Sequence, residues 1–138
     1  MYHRIHRAYW NYEYAMRSYY LDMRWILVVS GFEALISVGE QDLSWQFRDR
    51  VRQLAGQFHI DLSDHDLRGA YKLRSKLVHA ESFLYGLETI LPQSEKRELY
   101  VKLESLLRMT LRNCLLDENF GNCFVDPSGR PVIRVSQS

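Results

Sequence analysis

Cysteine is scarce. The chain has two among 138 residues, Cys114 and Cys123, at no metal-ligand spacing, which excludes a disulfide framework and a thiolate metal site. No secretory signal peptide is visible, so a reducing, cytoplasmic setting is expected. Long apolar runs are missing too: "WILVVSGFEALI", residues 25–36, is too short for a membrane span and carries Glu33 inside it, so it reads as a buried helix and no membrane partner is expected. Helix breakers are few, with three prolines and seven glycines, and nothing resembles an internal repeat or a low-complexity segment. Excess charge is lacking as well. A net charge of +1 excludes a chain that binds nucleic acid or anionic membrane as a polyelectrolyte, so any nucleic-acid site must be local.

What remains is globular: 46% apolar and 25% charged residues, in a chain long enough to bury a core without disulfides or metal. The basic residues are 14 Arg against 4 Lys, and guanidinium suits bidentate contacts to phosphate or carboxylate. From His6 to Ser37 there is no proline and only Gly31, which predicts one long helix with at most a single break. Its first half is crowded with Tyr and Trp and its second half is aliphatic on most sides, as a central helix is. Ser44 is a candidate N-cap for a second helix to about Gln57, with Phe47, Val51 and Leu54 as its buried stripe. Ser63 and Asp66 have the spacing of a capping box opening a third helix to about Leu84. A fourth, opening at Pro92 or Ser94, runs to about Leu116. Leu99, Leu103, Leu106 and Thr110 form its stripe, widened by Leu107, Leu111 and Leu115. The fold class expected is all-α, an antiparallel four-helix bundle over 1–118, followed by a short extended arm or hairpin over 119–138, where "DPSG" separates two β-prone runs.

The chemistry concentrates in "YKLRSKLVHA", residues 71–80. On a wheel of 3.6 residues per turn, Ala70, Leu73, Leu77, Ala80 and Leu84 share the core face, within about 80°. Tyr71, Ser75 and Val78 lie opposite, flanked by Arg74 and His79. Those two sit roughly 140° apart, too splayed to meet at one atom unless the helix bends or a two-fold partner contributes a second copy. Histidine can take the proton of a ribose 2′-hydroxyl or give one to a leaving oxygen. Arginine can stabilise charge on a pentacoordinate phosphorus with forked donors. RNA cleavage by transesterification needs no metal or cofactor from such a pair.

The order of "MRWILVVSGFEALI", the basic "WQFRDRVRQLAG" and then "YKLRSKLVHA" resembles the HEPN superfamily, most closely its Apea-like branch. There an "alEaLl"-type segment precedes an "lRSkivH"-type one. The likeness spans about Ala8 to Leu116. It implies an all-α bundle, a homodimer and, in many members, a metal-independent endoribonuclease of defence, abortive-infection or toxin-antitoxin systems. It also implies an N-terminal sensing domain or a cognate antitoxin as partner. The superfamily's arginine and histidine carry onto Arg74 and His79 as catalytic residues. Its helical acid carries onto Glu33 and its second-helix arginine onto Arg48, expected as a structural ion pair. The chain has Ser75 where many nucleases have Asn, Asp or His, and Ala80 where glycine is common. Some members are non-catalytic modules for dimerisation or for binding a nucleotide or a partner, the alternative reading.

Other candidates are weaker. Tyr71, Ser75 and Lys76 adjoin the motif and could contact RNA, though a plain surface role suits each. Arg52 and His59 match a longer spacing, but Gly56 intervenes. His59, Asp61, Asp64 and His65 match no familiar metal site, and capping accounts for Ser63 and Asp64. His3 and His6 lie near the N-terminus and are read as mobile. The aromatics from Tyr9 to Tyr20 could stack RNA bases, with helix packing the favoured reading.

Overall fold

In the computed structural model, residues 3–37, 39–78 and 93–124 are described. They form six helices: α1 (His3–Arg17), α2 (Leu21–Ile36), α3 (Leu43–Gln57), α4 (Asp64–Val78), α5 (Gln93–Leu116) and α6 (Glu118–Asn122). The all-α class holds, and no strand occurs among the described residues.

The long first helix is in fact a hairpin. α1 folds back along α2, with Arg4 Nη1 donating to Ser37 O at 2.7 Å near one end and Arg24 Nε donating to Ser18 O at 2.6 Å at the other. No glycine or proline marks the reversal. Ser18 instead donates its hydroxyl to Tyr14 O at 2.7 Å, and Tyr20 adopts an extended backbone (φ −86°, ψ 132°). The driving force is burial. α2 has Trp25, Val28, Val29, Phe32, Leu35 and Ile36 all within 1% of full burial, so it needs cover on every flank. α1 covers one flank, and α3, α4 and α5 the others. Gly31 makes room for α5: a Cβ there would meet Leu107 Cδ2 at 2.8 Å, whereas Ala8 O on α1 would lie at an ordinary contact distance of 3.5 Å.

α4 is pinned to α2 by Trp25, fully buried, whose Nε1 donates to Ala70 O at 3.0 Å. Of the expected core faces, Phe47, Val51 and Leu54 on α3 and Ala70, Leu73 and Leu77 on α4 are buried, and Leu67 joins them. On α5, Leu99, Leu103, Leu106, Leu107, Thr110 and Leu111 are buried, but Leu115, expected to widen the stripe, is 70% exposed. The capping box forms as read, with Asp66 N donating to Ser63 Oγ (3.0 Å) and Ser63 N to Asp66 Oδ2 (3.1 Å). The N-cap of α3, however, is Asp42 in the left-handed region (φ 55°), and Ser44 lies inside the first turn.

The expected arm starts differently. Asp117 accepts hydrogen bonds from Asn119 N and Phe120 N, opening α6, and Phe124 is buried against the bundle, its ring 5.6 Å from that of Phe120. The "DPSG" turn and the rest of the arm lie outside the described residues, as do Ala80 and Leu84. No helix among the described residues is long and apolar enough to cross a membrane.

Candidate functional site

Arg74 sits on the flank of α4 that faces α2, and its guanidinium pairs with the Glu33 carboxylate. Both side chains are mostly buried, 19% and 17% exposed. This corrects the expected pairing of Glu33 with Arg48. Arg48 instead bonds Asp64 at the start of α4, Nη1 to Oδ1 at 3.1 Å. The two ion pairs thus tie α2 to α4 and α3 to α4 separately. Asp64 also meets Arg68 at 3.5 Å, and no group of three or more metal-ligating side chains occurs among the described residues.

Tyr71 corrects the wheel in another way. Its ring packs on Phe47 with centroids 5.4 Å apart, and Arg74 Cζ lies 5.1 Å from the Tyr71 centroid. α3 therefore covers part of the face expected to point away from the bundle, while Val78, 50% exposed, stays open. Ser75 and Lys76 are partly buried. His79 lies outside the described residues. Burial raises the Tyr71 pKa and lowers that of Arg74 from their ordinary values, but a guanidinium beside a carboxylate keeps its charge at any physiological pH. The buried Arg74 Nε has no hydrogen-bond partner among the described residues.

Beyond Arg74 opens a polar cleft of about 590 Å³ between α1, α2 and α4. Its walls carry Glu33 and Arg74 on one side and His3, Arg4, Arg7 and Asn11 on the other. Arg50 stands close by, donating to the carbonyl of Ile36 and to Gln46 Oε1 (3.0 Å). Burial, then the like charges of Arg50 and Arg7, lowers the Arg4 pKa. Such a convergence of guanidinium groups is suited to an anion.

Sequence reasoning missed Arg4 and Arg7, which only the hairpin brings beside Arg74. The available signal was their i, i+3 spacing on one helical face, with His3 and Asn11 on the same side. His3 is exposed in the first turn of α1 and lines this cleft. Thiol chemistry is not on offer at neutral pH from Cys114: burial and then Cys123 push its pKa up to about 12, and the thiolate is the nucleophilic form. Compared with protein-family models, with curated proteins and with solved structures, the chain matches none of them.

Proposed function

We propose that this chain is a metal-independent endoribonuclease of the HEPN type, acting as a homodimer in a cytoplasmic defence, abortive-infection or toxin-antitoxin setting. The observation that carries the reading is Arg74: a single guanidinium held by Glu33 and Tyr71 on the wall of a cleft that three further basic residues line. In this reading a scissile phosphate enters the cleft. Arg74 stabilises the charge that gathers on the pentacoordinate phosphorus, an interaction stronger in the transition state than in the ground state. His79 takes the 2′-hydroxyl proton or gives one to the departing 5′-oxygen, and a second copy of the chain supplies the complementary group. Glu33 orients Arg74 without touching substrate.

The alternative is a non-catalytic module for dimerisation or for binding a nucleotide or a partner. The same ion pair favours it in one respect, since a phosphate must compete with Glu33 for the fork of Arg74.

The test incubates purified chain with mixed RNA in EDTA, comparing wild type with Arg74→Lys, Arg74→Ala and His79→Ala. Cleavage is expected from wild type, with losses of roughly 10²–10⁴-fold for His79→Ala and about 10²-fold or more for either Arg74 variant. Arg74→Lys keeps a cation beside Glu33, so it tests the fork separately from folding. Absence of cleavage by every form turns the conclusion to the non-catalytic module. Light scattering that finds only monomer at high concentration removes the shared site.

A further inference from the structure

The exposed side of α1 is costly for a surface. Tyr9, Trp10 and Tyr14 are 43%, 59% and 51% exposed, although only Tyr12 of this aromatic group packs on the core, its hydroxyl donating to Glu104 Oε1 at 3.1 Å. Packing among the described residues thus accounts for Tyr12 and not for the other three. The Trp10 and Tyr14 rings lie 5.8 Å apart, tilted by 45°, beside a hollow of about 460 Å³ that both help to line.

This hollow and the arginine cleft share one helix stripe. Arg7, Trp10, Tyr14 and Arg17 fall within about 80° of one another around α1, and Arg7 and Tyr14 are separated by roughly 10 Å along its axis. A guanidinium therefore stands at one end of the stripe and a pair of aromatic faces follows it. Charge complementarity decides the occupant. In a chain of net charge +1, the cleft end gathers Arg4 and Arg7 opposite Arg74, and the carboxylate facing them, Glu33, already pairs with Arg74. Further along, Glu13 is offset by Arg17 at 3.5 Å. The local excess is positive, and it leads into rings that can stack on any base.

We propose that the outward stripe of α1 is a track for single-stranded RNA, in which Arg7 holds a backbone phosphate at the cleft and Trp10 and Tyr14 stack the bases that follow. Bases in a duplex are already stacked and hidden, so the track takes an unpaired strand. It would feed the strand toward Arg74 in a fixed direction. The choice of RNA rests on the ribonuclease reading, whereas the binding geometry does not require cleavage.

Binding is measured by anisotropy on the full wild-type chain with a short labelled single-stranded RNA carrying 2′-O-methyl groups, which cannot undergo transesterification. Trp10→Ala and Tyr14→Ala are each expected to raise Kd roughly fivefold or more, while Trp10→Phe, which keeps a stacking face, retains most of the affinity. Arg7→Ala should weaken binding and flatten the slope of log Kd against log salt by about 0.7, the loss of one phosphate contact to a single strand. Unchanged affinity in the ring variants overturns the track, and so does equal binding of duplex RNA. A Trp10→Ala chain that changes from dimer to monomer with RNA affinity intact shows a protein interface instead, which also overturns it. Cleavage of unmodified RNA is read separately. Ring-dependent binding without cleavage keeps the track and removes the ribonuclease; cleavage with ring-independent binding does the reverse.

Discussion

The inner face of α1 is built from Ile5, Ala8 and Ala15, all buried, and its outer face from Tyr9, Trp10 and Tyr14, all exposed. Ala8 and Ala15 on the inside let α1 lie against α2, with Ala8 O at contact distance, 3.5 Å, from a Cβ placed on Gly31. Large rings on the outside leave apolar area in water that folding does not use. A stability-driven sequence would reverse the two, since burying a large side chain contributes about 1.5–3 kcal/mol and exposing one contributes nothing. The inner face therefore serves the fold, whereas packing among the described residues gives the outer face no role, and the proposed RNA track would supply one.

Substitutions can separate the faces by the size of their effects. The largest lies in the core that α1 helps to cover: Trp25→Ala removes a fully buried ring and its bond to Ala70 O, and denaturant titration should show a loss of about 3–5 kcal/mol. Next is Ala8→Leu, which forces extra volume between α1 and α2 beside Gly31 and should cost about 1–3 kcal/mol. Smallest is Trp10→Ser or Tyr14→Ser, expected to shift stability by no more than about 0.5 kcal/mol. A large loss from either outer substitution would erase the distinction. If Ala8→Leu were harmless, the hairpin would not be packed as closely as described.

The same contrast explains what could be read in advance. The buried stripes of α3, α4 and α5 were legible because each helix alternates apolar and polar residues with a helical period, and the capping box at Ser63 and Asp66 because it is a local pattern. The hairpin was not, because Ser18, Tyr19 and Tyr20 contain no breaker and the reversal is dictated by the need of α2 for cover. That one miss propagated to the site. With a continuous helix, Arg4 and Arg7 would lie far from α4, and Arg74 would seem to face only solvent or a second copy. The pairing of Glu33 was likewise hidden, since helical spacing fixes the face of a residue and not which neighbouring helix presents an arginine to it. Leu115 fits the α5 stripe by spacing but is exposed, since spacing alone does not say how far a neighbouring surface extends along the helix.

The bond from Trp25 to Ala70 joins residues 45 apart in sequence, while α1 and α2 meet across residues 18–20 alone. Closing the longer span costs more chain entropy before any contact offsets it, and non-local contacts form slowly for that reason. The hairpin can assemble from neighbours, bringing Arg4, Arg7 and Glu33 to one side of a groove. The opposite wall, with Arg74, is present only once α4 has docked. In kinetic terms, one wall of the cleft belongs to a local association and the other to a non-local one, so the complete cleft forms no sooner than the docking of α4 that the Trp25 bond accompanies.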